Sequence, residues 1–108
     1  VINWKIEELK YRATDGFVET VHWKCEGIEL EKLEGIIIKE HRETVVGSIS
    51  YNGTPIIPYA ELIEETVINW VKEKLGNQKV LEIEQHISNK IEEKKNPTLL
   101  NGKPWDNN

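Results

Sequence analysis

Apolar residues alternate through roughly the first fifty positions, and a 3.6-residue apolar repeat runs from about residue 60 to about residue 95. Strand pattern first and helix pattern second predict an α+β fold. The expected architecture is an antiparallel three- to four-stranded sheet followed by a helical hairpin packed on one face, with an extended C-terminal arm. One domain is expected over 1–96, with the sheet over about 2–51 and helices over about 60–75 and 78–95; residues 97–108 form the arm.

The first strand is WKIEELKY. Trp4 and Ile6 share one parity and Leu9 and Tyr11 the other, a switch that a bulge near Glu7-Glu8 removes by returning all four to one face. Asp15-Gly16 then marks a turn, because glycine accepts φ > 0 without steric cost. From Phe17 to Cys25 the alternation is clear. Phe17, Val21, Trp23 and Cys25 fall on one face, and Val18, Thr20, His22 and Lys24 on the other, with Glu19 interrupting the apolar set.

Residues 27–42 fit either one long strand bent at Gly35 or two short strands. From Glu43 the alternation returns, Val45, Ile49 and Tyr51 against Thr44, Ser48 and Ser50. Asn52-Gly53-Thr54-Pro55 ends the sheet region, and Pro55 and Pro58 keep the next residues extended.

In the first helix Ile63, Val67, Trp70, Val71 and Leu75 make the apolar stripe, and Gly76 is placed as its C-cap. Asn77 is expected to cap the second helix, which buries Val80, Ile83, Ile87 and Ile91. Glutamates crowd the early turns and lysines the late ones, complementing the helix dipoles. Asn96-Pro97 stops the second helix.

Net charge is -5, and both halves are acidic. That charge lacks the basic field that neutralises phosphates, so neither nucleic acid nor an anionic membrane surface is an expected partner. The longest apolar run, Ile36-Ile37-Ile38, is far short of the roughly 20 residues of a membrane span. The opening residues lack the pattern of a signal peptide, so a cytoplasmic chain is expected. The single cysteine, Cys25, excludes an internal disulfide.

A search for chemistry gives no catalytic, cofactor-binding or metal-ligating residues. His22 and Cys25 point to opposite faces of a strand, so the histidine is not placed to activate the thiol. His22, His41, His86 and Cys25 match no zinc spacing. None of Ser48, Ser50 and Ser88 stands in a nucleophile elbow, and no glycine-rich phosphate loop is present. A non-enzymatic protein without a cofactor is the expectation.

The arm, NPTLLNGKPWDNN, is the feature that composition does not explain. It carries Leu99, Leu100, Pro104 and Trp105, whereas an ordinary disordered tail is polar. Either Trp105 folds back over the domain or it docks on another chain, as an amphipathic aromatic anchor does. These four residues are the expected partner-binding set.

Taken together, Trp4, Asp15-Gly16-Phe17, Trp23, Ile57-Pro58-Tyr59, Leu62, Trp70, Asn96-Pro97 and Gly102 through Trp105 resemble a family of short proteins of tailed bacteriophages, notably phages of marine cyanobacteria. The chain departs from that pattern over residues 27–42, at Ile63, where a Thr cap is expected, and after Trp105. The resemblance implies a phage origin and no assigned reaction. The expected role is a structural virion component, a capsid decoration or tail-associated subunit, located in the virion and working through contacts with a capsid or tail subunit or with further copies of itself. The alternative is an interaction module in the host cytoplasm that binds a host protein.

Overall fold

The structure is a computed structural model that describes residues 1–96 and 102–106. Among the described residues, the chain forms one antiparallel sheet in the order β1 (Ile2–Tyr11), β2 (Val18–Leu33), β3 (Ile36–Ser50). A 3-10 turn at Tyr59–Glu61 then leads into α1 (Glu64–Leu75) and α2 (Asn77–Lys95), and a second 3-10 turn spans Pro104–Asp106. Both helices lie on one face of the sheet. The fold is α+β, as the order of the two apolar periods implies.

Two bulges set which residues face the helices. In β1 the register shifts between Ile6 and Glu8, so Trp4, Ile6 and Leu9 pair with Cys25, Trp23 and Val21 and all share the helix side. A second shift places Tyr11 opposite Val18 and leaves Glu19 without a partner in β1. This corrects the parity expected for Val18, which is buried with Val21 and Trp23 rather than grouped with His22 and Lys24. Glu19, which interrupts the apolar set, is the extra residue of that bulge.

Residues 27–42 are neither a bent single strand nor two short ones. β2 continues unbroken to Leu33, the chain reverses at Glu34 (φ 53) and Gly35 (φ 81), and β3 starts at Ile36. Two consecutive residues with positive φ give the turn whose twist matches that of the strands it joins.

The core is Trp4, Val21, Trp23, Cys25 and Ile49 from the sheet against Val67, Val71, Ile83, Ile87 and Ile91 from the helices. Gly27 decides how closely α2 approaches, since a Cβ there would collide with Ile87 and Ile91. Cys25 is fully buried, and burial pushes its thiol up to about 12.

Gly76 alone joins the helices, with φ 86 and its amide donating to Lys72 O. It also occupies the position before α2, so the expected Asn77 cap is replaced: Asn77 is already helical, and no side chain caps that end. Ile63 precedes α1, likewise without a side-chain cap. Its 60% exposure removes it from the expected buried stripe.

Candidate interaction surfaces

β1 pairs with β2 only as far as Gly27, and Val1 extends the pairing to Ile28 through Ile28 N–H to Val1 O (3.0 Å) and the terminal ammonium to Ile28 O (3.1 Å). Beyond that point β2 and β3 continue as a two-stranded ribbon to the turn at Glu34-Gly35. The end of α2 is fastened at the ribbon's base. Lys95 Nζ bonds Glu29 (2.7 Å), and Lys94 Nζ bonds Glu43 (2.9 Å) and donates to Arg42 O. Arg42 bridges Glu26 (2.8 Å) and Glu40 (2.5 Å). His41 is buried there, with Nε2 2.6 Å from Glu31 Oε1. The cationic partners hold the Glu26 and Glu29 carboxyls below the usual carboxylate range.

Past this polar collar the ribbon is open, its apolar side chains interspersed with charged ones. Leu30, Leu33, Ile36, Ile37 and Ile38 are 43–67% exposed. A run of three isoleucines reads in sequence as a buried strand, but here the strand pair has outrun the layer that would cover it. A register shift between Glu31 and Lys32 twists the ribbon close to its tip.

At the other end of β2 lies an apolar groove of about 680 Å³, bounded by Phe17, Val18, Tyr51, Ile57, Leu62 and Trp70 with Glu73 and Lys74 at its border. The loop after β3 forms one wall. Arg12 pins that loop: its guanidinium stands 4.7 Å over the Phe17 ring, donates to Gly53 O (2.5 Å) and pairs with Asp15 (3.1 Å). The stacked rings of Tyr11 and Tyr59, 3.8 Å apart, secure the entry to α1. Tyr51 packs toward Trp70, its hydroxyl buried without a hydrogen-bond partner among the described residues, and burial raises its pKa.

The sheet face away from the helices is mostly polar, laced by Lys24–Glu7 (2.8 Å), Thr44–Glu26 (3.3 Å) and Ser48 Oγ–His22 Nδ1 (2.7 Å), with Val46 exposed opposite Lys24. The Ser48–His22 contact was not legible in sequence, because it depends on the cross-strand register. Both residues lie on an open sheet surface, and among the described residues no carboxylate hydrogen-bonds His22. No cluster of three or more potential metal ligands occurs among the described residues, and no helix there is long and apolar enough to cross a membrane.

Of the four expected partner-binding residues, Leu99 and Leu100 lie outside the described residues. Pro104 and Trp105 sit in the short 3-10 turn, so the arm is not extended there. Trp105 is 78% exposed and does not join the core. The larger apolar exposure belongs to the ribbon, which the sequence reading did not single out.

These features define a small α+β domain with a one-sided sheet, a projecting apolar ribbon and an apolar groove at the opposite end. The chain belongs to the family described as Domain of unknown function (DUF7936), whose model matches residues 1–105. No curated protein and no solved structure matches the chain significantly.

Proposed function

We propose that this protein is a non-enzymatic structural component of a phage particle, a capsid decoration or tail-associated subunit that works through protein–protein contacts. The observation that carries the reading is the ribbon from Leu30 to Glu40, which holds five large apolar side chains outside the core. Large apolar side chains left bare on a chain otherwise rich in charge mark a place where another protein sits. The ribbon reaches a neighbour without enlarging the core that supports it. Trp105 supplies a second exposed anchor. The phage assignment is supported by the resemblance of the Trp4, Asp15-Gly16-Phe17, Ile57-Pro58-Tyr59 and Gly102–Trp105 motifs.

The test is absolute quantification of the protein by mass spectrometry in purified particles of its phage. Hundreds of copies per particle support capsid decoration, and a few tens or fewer support a tail or neck position. Absence from particles together with abundance in infected cells rejects the virion role. It favours the second reading, a host-directed module in the cytoplasm, for which the net charge of -5 would steer the protein to a basic partner.

A further inference from the structure

We propose that Asn52-Gly53 is a site of spontaneous covalent modification, where the Gly53 amide closes on the Asn52 side chain and water opens the ring to aspartyl and isoaspartyl products. The site needs no partner, cofactor or enzyme, only water.

Glycine after asparagine favours this closure, because no Cβ hinders its nitrogen and the ring that forms has five members. A helix or strand opposes it by fixing the backbone and engaging its N–H groups. Asn52 and Gly53 lie beyond the end of β3 at Ser50, outside any helix or strand, and both are exposed. Among the described residues, neither the Asn52 carboxamide nor the Gly53 N–H has a hydrogen-bond partner. Gly53 has φ 142, a conformation that suits glycine and strains other residues. The loop therefore demands the very residue that leaves the nitrogen open. Arg12 holds Gly53 O (2.5 Å), one peptide beyond the bond that reacts. The other asparagines differ. Asn3 lies in β1 and Asn69, Asn77 and Asn89 in the two helices, each followed by a residue with a side chain. Asn96 precedes a proline, which has no N–H. Asn101, which also precedes a glycine, Asn107 and Asn108 lie outside the described residues.

Base removes the Gly53 N–H proton, and the nitrogen attacks Asn52 Cγ. The N–Cγ bond forms, the Cγ–Nδ2 bond breaks, and Nδ2 takes a proton from water and leaves as ammonia. Water then adds to one of the two ring carbonyls. Cleavage of the Cγ–N bond gives aspartate. Cleavage between the nitrogen and the backbone carbonyl carbon of residue 52 gives isoaspartate, whose main chain runs through Cγ. In both cases the nitrogen regains a proton and the oxygen of water stays in the new carboxylate. Either product makes the net charge of -5 more negative by one. Isoaspartate also adds a methylene to the main chain just before the carbonyl that Arg12 holds, in the loop that walls the groove.

The experiment ages the full chain, native and urea-unfolded, at mildly alkaline pH in buffer made with oxygen-18 water. Timed samples are digested in acid and mapped by mass spectrometry, which separates Asn52 from Asn101 and from every other asparagine. The native protein is expected to convert Asn52 nearly as fast as the unfolded chain does, while native Asn3 and Asn69 stay unchanged. The converted peptide should carry the heavy isotope at residue 52 and elute as two isomers, aspartyl and isoaspartyl. Asn52→Gln, at an exposed position without a hydrogen bond, should abolish conversion of that peptide. Native conversion slower than unfolded by about tenfold or more, an added barrier of about 1.4 kcal/mol, overturns the proposal, because the fold would then protect the site. Formation of aspartate without isoaspartate also overturns it, since that is direct hydrolysis and not ring closure. The native-against-unfolded comparison uses the wild type alone, so it decides the matter even if Asn52→Gln misfolds.

Discussion

Trp23 of β2 packs against Gly47 of β3, close enough that a Cβ at position 47 would lie 2.5 Å from the indole Cζ2. The missing side chain is the space that the indole fills. Gly47→Ala is therefore expected to destabilise the protein by about 1–3 kcal/mol, the usual cost of overpacking a filled core. Urea unfolding measures it, and a change under about 0.5 kcal/mol, the range of ordinary surface substitutions, would mean that the ring moves aside freely.

Trp4 Nε1 donates to Glu84 Oε2 at 2.8 Å, joining the first strand to the last helix, and Lys72 stands 5.6 Å over the same ring. Glu84→Ala leaves the part-buried indole N–H without its acceptor, an expected loss of about 1–3 kcal/mol. Glu84→Gln keeps a carbonyl acceptor and is expected to lose less. Equal losses in the two variants would show that the hydrogen bond contributes little beyond packing.

Cys25 gives a prediction in pH. Its folded pKa, raised by burial from an ordinary 9.0 to about 12, favours the neutral thiol in the native state. Above about 9 the unfolded chain releases this proton and the folded chain does not, so stability falls as pH rises, by up to about 1.4 kcal/mol per unit. Other groups titrate in that range as well, so the comparison is with Cys25→Ala, whose stability should fall less steeply. Parallel slopes would contradict the burial effect. Thiol labelling of the native protein should likewise be slow and track global unfolding.

The ribbon should open independently of the core. Residues 30–40 have a single partner strand each and lie beyond the helices, so their amides are expected to exchange faster than those of Val21 to Gly27, which sit between two strands. Gly35→Ala, at φ 81, should accelerate exchange within the ribbon while leaving the core amides nearly unchanged. Slower exchange throughout residues 30–40 than in the central strand would contradict this order.

Much of the fold is legible in sequence because it follows from periodicity. The parity switch between Ile6 and Leu9 gives the first bulge, and the spacing of Ile83, Ile87 and Ile91 gives the buried face of α2. What is not legible depends on where one layer ends relative to another. Ile36-Ile37-Ile38 carries the same signal whether covered or bare, and only the early end of β1 and the fastening of α2 at Glu29 and Glu43 leave it bare. The groove escapes for a similar reason. It arises from the approach of Trp70 to the loop after Tyr51, two segments whose separate patterns specify nothing about each other. Val18 shows the local limit, since one extra residue at Glu19 reverses the face assigned to it.

Glu64 reaches from the first turn of α1 to accept the amide of Ile6 at 3.0 Å. β1 is a border strand among the described residues, and a border strand with free amides invites another chain to anneal onto it. The carboxylate stoppers that border with a charge, as a selvedge stops a cloth from unravelling sideways. A neighbouring chain is thereby denied the Ile6 amide as a pairing point in the middle of β1.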